Sequence, residues 1–303
     1  MQKILITGAS GTLARKVKSN FEDQGFRVVV LTTNKEKANG FDVFYWDTSK
    51  GEIDENSVEG VQHIIHLSGF SIIKKWTKKN KQLMYDSRVK ASALIHDACI
   101  KKGVRPKTFI SASAIGYYGI NDFKSLKKEE DMPADDWLAK MCVRWEDAAD
   151  KFSEIGSRVV KLRISLLITK EAGFLVPTLL SMRLGGAAVF GTGKQPIEWI
   201  HIDDACQFID YSIKNKKVEG AYNLGSNQKL TQYQFMKQIK SSIAPYAILF
   251  RIPSSILKII FGPNSVILEG GCKMDMTKFN NSGYKLKYAN LESLIKYIKG
   301  GKK

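Results

Sequence analysis

The stretch from Ile4 to Ala14, Ile-Leu-Ile-Thr-Gly-Ala-Ser-Gly-Thr-Leu-Ala, constrains the rest of this chain more than any other. An apolar β run, Ile4 to Ile6, breaks at Thr7-Gly8, and a helical pattern resumes after Gly11 with Leu13, Val17 and Phe21 on one face. A second β run, Arg27 to Leu31, follows directly, so strand, turn, helix and strand fit the roughly 30 residues of a βαβ unit. Such a turn brings backbone N–H groups to an anion at a helix N-terminus, where the dipole favours negative charge and side chains would obstruct. The spacing Gly8-x-x-Gly11-x-x-Ala14 is not the usual GxGxxG, and the flanking elements are what distinguish it from a plain glycine turn. The backbone of Gly8, Ser10, Gly11, Thr12 and Leu13 is expected to meet a dinucleotide pyrophosphate.

The end of the second β run selects the dinucleotide. An NAD site places an acid there to accept from both ribose hydroxyls, whereas a 2′-phosphate is repelled by a carboxylate. Here the residues are Thr32, Thr33, Asn34 and Lys35, all donors, which favours NADP(H) over NAD(H). Lys35 also reads as an ordinary surface lysine at a helix start, and Lys37 would serve equally well.

A doubly wound parallel α/β sheet follows from the order of the remaining segments. Val43 to Trp46 is a short strand ending at Asp47-Thr48, and Val61 to Leu67 is a buried-type strand followed by Ser68-Gly69. Leu67, Ser68 and Gly69 form a small-residue turn that lets backbone approach the middle of the cofactor. His63 and His66 have no third ligand at usable spacing, so no metal site is expected. Lys78 to Lys102 reads as one long helix with Leu83, Val89, Ala93, Leu94, Ala98 and Cys99 as its apolar stripe, closed by Gly103. Thr108 to Ser113 is the next strand, and its carboxyl end carries a cluster of hydroxyls where open α/β sheets place ligands.

Three separated motifs carry a family resemblance: Thr7-Gly8-x-x-Gly11, Ser-Ala-Ser-x-x-Gly-Tyr-Tyr-Gly at 111–119, and Trp199-Ile200-His201-Ile202-Asp203-Asp204. Together they resemble the extended short-chain dehydrogenase/reductases of the sugar-nucleotide epimerase group. Ser68-Gly69, Cys142-x-x-Trp145-Glu146, Gly191-x-Gly193-Lys194-Gln195 and the segment from Arg251-Ile252-Pro253 make the chain similar to the atypical branch called epimerase family proteins. The likeness spans nearly the whole chain. It implies a Rossmann-type fold with a smaller C-terminal substrate lobe, divided as 1–170, with 200–215 packing back on it, and 171–303.

The resemblance also exposes a gap. Extended reductases pair Tyr-x-x-x-Lys on a helix so that the ammonium favours phenolate, since a tyrosine with a pKa near 10 is a poor base alone. If Glu146 is matched to the family's following glutamate, those slots hold Leu138 and Cys142. Ser113 keeps the oxygen-holding place, Tyr117 or Tyr118 is a candidate phenol, and Lys140 or Arg144 a candidate cation. Cys142 is a candidate nucleophile with no nameable base, and a buried helical cysteine is the simpler reading. Trp145 and Glu146 read as a packed aromatic and a charge pairing with backbone or an arginine. Arg163, at the end of the strand Arg158 to Ile164, resembles a family position that approaches cofactor or substrate, with an internal ion pair as the alternative.

Further along, Gly191 to Pro196 is a turn carrying one cation and one amide, Asp203 is a candidate helix cap, and His201 reads as a core histidine before an acid or base. Tyr222 to Gly225 is expected as a short strand of the substrate lobe, Thr231 starts a helix, and an amphipathic helix from Leu291 to Ile298 precedes a basic tail.

Charge and cysteine content bound the alternatives. The formal net charge is +17, from 47 basic and 30 acidic residues, but the Lys and Arg residues are dispersed, with no single block of five or six like charges, so a direct nucleic-acid function is not the leading expectation. The four cysteines show no CxxC pair, Met1 leads directly into a strand, and no apolar run reaches membrane-spanning length, which together lead to the expectation of a cytoplasmic protein. Three functions remain: an NADP(H)-dependent oxidoreductase or epimerase on a small polar or nucleotide-linked substrate, a silent NADP(H)-binding module, and an RNA-associated protein. The expected partners are a small-molecule substrate and a second copy through the 78–102 helix.

Overall fold

Apolar β runs separated by amphipathic helices assemble into an eight-stranded sheet in a computed structural model that describes residues 1–119 and 122–300. In chain order the first half comprises β1 (Lys3–Thr7), α1 (Thr12–Asp23), β2 (Arg27–Thr32), β3 (Val43–Asp47), β4 (Glu52–Ile53), β5 (Val61–His66), α2 (Lys78–Tyr85) and α3 (Ala91–Lys101). Next come β6 (Thr108–Ala114), β7 (Leu126–Lys127), α4 (Trp137–Asp150), β8 (Arg158–Ile164), β9 (Leu166–Ile168), α5 (Leu175–Arg183), β10 (Gly186–Phe190), β11 (Trp199–His201), α6 (Ile202–Lys214) and β12 (Gly220–Leu224). The chain closes with α7 (Gln232–Ile243), β13 (Ile248–Ile252), α8 (Ser254–Phe261), α9 (Ser265–Glu269), β14 (Lys273–Met274), α10 (Thr277–Asn281) and α11 (Leu291–Lys299). The basic tail at 301–303 lies outside the described residues.

The sheet order is β12-β8-β6-β5-β1-β2-β3-β4. β1 pairs in parallel with β2 on one side and β5 on the other, β2 with β3 and β5 with β6 likewise, and β3 with β4 is antiparallel. The chain therefore winds outward from β1 and returns to its other side. The crevice beyond the carboxyl ends of β1 and β5 is the switch point where sheets of this kind hold ligands.

Parallel strands covered on both faces read as continuous apolar runs, and β1, β2 and β5 do so. One buried face collects Leu5, Val29, Leu31, Phe44, Ile64 and Phe109 against Ala91, Ile95 and Phe152. The Phe109 and Phe152 rings stack at 3.6 Å. Each fully buried side chain of this size contributes about 1.5–3 kcal/mol.

Two features depart from the sequence reading. The 78–102 segment is not one regular helix: α2 passes into a π-helical turn, Asp86–Lys90, and only then into α3. The wider turn shifts the helical phase. Met84, Arg88, Ala91 and Ile95 are therefore buried, while Leu83, Val89, Ala93 and Leu94 of the expected stripe are only half-buried. Gly103, at φ 62°, does close the segment. The strand at 220–224 is the other departure, because β12 is the edge of the main sheet beside β8, although only its residues 223–224 fall in the second compact unit. It reaches the sheet after α6, whose Gln207 and Lys214 bond Asn20 at 3.0 Å and Gln24 at 2.7 Å near α1.

The chain divides into two compact units that interleave along the sequence. The first comprises 1–117, 140–163 and 206–222, and the second 118–139, 164–205 and 223–303. The second unit has its own core of Leu175, Val189, Trp199, Phe235, Ile239, Leu291 and Leu294. Its small sheets pair β10 with β13, β11 with β9 and β14 with β7. Thr231 caps α7 in a reciprocal box with Gln234.

Candidate functional site

The turn after β1 is held from beneath by a chain of hydrogen bonds. His66 Nε2–H donates to the Arg88 carbonyl at 3.0 Å, which leaves Nδ1 to accept from the Thr7 hydroxyl at 2.9 Å. Thr7 Oγ in turn accepts from the backbone N–H of Leu67 and of Ser68, both at 3.1 Å. Burial holds the His66 imidazole down to about 4, so it stays neutral and keeps this tautomer. The ends of β1 and β5 are thus tied together by side chains that point away from solvent.

Gly8 follows at φ 72°, and a Cβ there would lie 2.7 Å from the Leu67 carbonyl oxygen. Gly11 donates back to the Gly8 carbonyl at 2.8 Å and serves as the N-cap of α1 with no side-chain cap. No acid lies in the first turn of α1. These are the properties of a phosphate cradle: bare backbone at a close approach, and a helix N-terminus whose N–H groups no side chain of the helix itself satisfies. Ser10 and Gly11 are exposed and Thr12 and Leu13 half-buried beside it.

Along the neighbouring edge, Thr32 is half-buried and Thr33, Asn34 and Lys35 are exposed. Thr32 Oγ1 accepts from the Asn34 N–H at 3.2 Å, and Asn34 Oδ1 caps the following short turn through the Glu36 N–H at 2.9 Å. The Lys35 ammonium sits 4.8 Å from the centre of the Tyr45 ring. A cation and hydroxyls therefore border this strand end, with Glu36 one residue beyond.

At the end of β6 the structure gathers four groups. Ser113 donates its hydroxyl to Glu146 Oε1 at 2.6 Å. Arg163 grips the same carboxylate with Nε on Oε1 and Nη2 on Oε2, each at 2.8 Å. The Arg163 guanidinium also stacks on the face of Tyr117, 3.4 Å from the ring centre. Ser113, Glu146 and Arg163 are all buried and Tyr117 is half-buried. Of the two readings of Arg163, the internal ion pair is the one present, and Glu146 is the hub that the expectation of a paired charge described.

Cys142 is buried, and desolvation together with nearby Glu146 pushes its thiol up to about 12. That is the opposite of an activated nucleophile. Lys140 is exposed on α4, and Leu138 is buried. Tyr118 belongs to the second unit, where its hydroxyl donates to Asn223 Oδ1 at 2.7 Å. In the same unit Gln195 spends its amide on the carbonyls of Phe190 and Leu268. At the start of α6, His201 accepts the Asp203 N–H on Nδ1 at 3.1 Å. Among the described residues no group of three or more His, Cys, Asp or Glu is placed to hold a metal, and no helix is long and apolar enough to cross a membrane.

Arg88 was not legible as a site residue. Its signal is its phase, because the π-helical turn puts it on the buried face between Met84 and Ala91, where an arginine needs a reason. Nη1 donates to the carbonyls of Phe70 at 3.0 Å and Met84 at 3.1 Å, so it also anchors the loop after Gly69.

The family described as NAD dependent epimerase/dehydratase matches residues 4–225, which contain the glycine turn, the Ser113 cluster and the Trp199–Asp204 run. The chain belongs to this family. Among curated relatives, this family member is 28% identical over 299 residues to the epimerase family protein SERP0438 of Staphylococcus epidermidis, covering 97% of this chain and 98% of that one. Among solved structures it is similar to human epimerase family protein SDR39U1 with NADPH, at a TM-score of 0.84 and 21% identity, covering 98% and 99% of the two chains. It is also similar to UDP-glucuronic acid 4-epimerase from Bacillus cereus in complex with NAD, at a TM-score of 0.74 and 16% identity, covering 98% and 96%. These structural likenesses show a shared fold, which in this member is the doubly wound α/β fold described above.

Proposed function

We propose that this protein binds NADP(H) and acts as an oxidoreductase or epimerase on a small polar substrate. The observation that carries the reading is the Gly8–Gly11 cradle at the β1/β5 switch point, with an uncapped, acid-free α1 N-terminus above it. Gly8, Ser10, Gly11, Thr12 and Leu13 would hold the pyrophosphate, and Leu67, Ser68 and Gly69 the middle of the dinucleotide. Thr32, Thr33, Asn34 and Lys35 would hold the 2′-phosphate, since no carboxylate stands at the end of β2 to repel it. The NADPH in the SDR39U1 structure and the presence of NAD in other fold relatives support a nicotinamide dinucleotide and leave the choice to those four residues.

The bound nicotinamide would supply hydride exchange. The chain's own part is the proton. Ser113 gives its hydrogen to Glu146, so its oxygen offers lone pairs to a substrate hydroxyl. As the substrate alcohol is oxidised, its proton passes to Ser113 Oγ and the Ser113 proton to Glu146. The reverse reaction returns both. Arg163 fixes the Glu146 carboxylate and faces Tyr117, whose hydroxyl is the second candidate to touch substrate.

A silent dinucleotide-binding role is favoured by one observation: Leu138 and Cys142, both buried, stand where the family's tyrosine and lysine would be. Two measurements separate the readings. Fluorescence titration with NADPH and NADH tests binding and cofactor choice. Stereospecific exchange of label between NADPH and a panel of carbonyl metabolites tests turnover, and its failure across the panel would leave binding alone.

A further inference from the structure

Among the described residues Arg88 is a buried cation with no counter-ion. The residue is 9% exposed, and among the described residues no carboxylate pairs with it. Asp86, on the same turn, is engaged instead by Gln82 at 2.8 Å and Lys90 at 2.9 Å. Both hydrogen bonds of the Arg88 guanidinium leave from Nη1, while Nε is buried with no acceptor. The Trp145 ring lies 5.0 Å from its guanidinium carbon, and the Trp145 indole N–H is likewise buried without an acceptor. A cation–π contact eases the charge but offers no lone pair to an N–H. Desolvation brings the guanidinium down to about 10, as befits a charge that nothing neutralises.

Arg163 shows what such a group does when satisfied. It binds Glu146 side-on, through Nε and Nη2, the fork geometry that matches a planar carboxylate. On Arg88 that same edge is unused. Its Nη2 corner lies against Gly69, 2.9 Å from where a Cβ would stand, and Gly69 is an exposed residue of the turn beyond β5. A glycine at 69 puts no side chain over Nη2, whereas a Cβ there would press on the guanidinium.

We infer that the Nε/Nη2 edge of Arg88 binds an oxyanion of the substrate, and that a carboxylate is the group it fits, so that the substrate is a small polar acid. The inference rests on the dinucleotide-enzyme reading for the word substrate, and on Arg88, Trp145 and Gly69 alone for the oxyanion. Phosphate offers similar charge in a tetrahedral form, and the dinucleotide itself carries phosphates at this crevice. The experiment has to separate these sources.

The full-length protein is titrated calorimetrically with oxalate, acetate and inorganic phosphate, each with and without saturating NADPH, and NADPH is titrated separately. Arg88→Met removes the charge, and Arg88→Lys keeps it without the side-on fork, which preserves a folded comparison. Oxalate is expected to bind the wild type more tightly than phosphate, and both variants to weaken it by at least about tenfold while the NADPH dissociation constant stays within about twofold. A purely structural Arg88 would not move the oxalate affinity of a folded variant at fixed NADPH affinity. Equal oxalate binding in wild type and variants, no binding of any of the three anions to the wild type, or phosphate preferred over oxalate would each overturn the proposal. Loss of NADPH affinity in the variants would assign the oxyanion to the dinucleotide and overturn it too. Failure of the wild type to bind NADPH removes the function reading, and the titrations without dinucleotide then still decide whether Arg88 takes a carboxylate.

Discussion

Ser113 on β6 and Glu146 on α4 share a hydrogen bond of 2.6 Å, and Arg163 grips both oxygens of the same carboxylate. All three side chains are buried, so the charge on Glu146 is balanced by Arg163 and by little else. Removing one partner leaves the other uncompensated in a poorly solvated place. Glu146→Ala is expected to destabilise the protein by about 3–5 kcal/mol, and Glu146→Leu combined with Arg163→Met to cost much less than the sum of the single changes. Urea unfolding of the wild type, the single variants Glu146→Leu and Arg163→Met and the double variant measures this coupling, and additive losses would contradict a coupled pair.

The buried, neutral His66 sets a pH dependence. Its folded pKa is held down to about 4 from an ordinary 6.5, and His63 is also lowered to about 4 by burial. The unfolded chain therefore binds more protons between these values, so stability rises with pH there. It is fully present above about 6.5 and lost as pH falls towards 4. For each histidine the change is on the order of 3 kcal/mol. His66→Gln should flatten part of the urea-unfolding profile over that window, and an unchanged slope would show that His66 is not the group titrating.

Gly8 tests the cradle. An alanine there has to adopt φ 72° and place a methyl against the Leu67 carbonyl oxygen. Strain of about 1–3 kcal/mol is expected, with NADPH affinity reduced by at least about tenfold. Fluorescence titration reads the affinity, and thermal unfolding shows whether the variant still folds. Undiminished NADPH binding by Gly8→Ala would count against this turn as the pyrophosphate site.

The end of β2 tests cofactor choice. The wild type is expected to bind NADPH more tightly than NADH, by about tenfold or more, because Thr32 to Lys35 present donors and a cation. Thr33→Asp should reverse the order by repelling a 2′-phosphate and accepting from ribose hydroxyls. The preference of the wild type should also shrink with added salt, since Lys35 is exposed.

The thiols test the rejection of cysteine chemistry. Cys99, Cys142 and Cys272 are buried with thiols pushed up to about 12, and Cys206 is buried as well. The native protein should react slowly with an aromatic disulfide reagent at neutral pH, and denaturant should release all four free cysteines. Cys142→Ala should retain dinucleotide binding, and rapid labelling of one thiol in the native state would reopen Cys142 as a nucleophile.

Local chemistry fixed a large part of this protein. The order of apolar runs and glycine turns made the doubly wound sheet readable, because strand burial and helix periodicity are written residue by residue. Gly8 and the acid-free segment Thr32–Lys35 were legible for the same reason: a close backbone approach needs glycine, and charge repulsion needs only the residue type. The tertiary structure alone decided the rest. Leu83 or Met84 as the inward face depended on a π-helical turn whose extra residue no apolar pattern announced, and β12 joined the main sheet through pairing with a strand far away in sequence. Whether Arg163 faced a ligand or Glu146, and whether Arg88 had any partner at all, turned on distances between side chains from separate elements. A sequence records which charges a chain carries, and only its folding brings each charge to a counter-ion or leaves it without one.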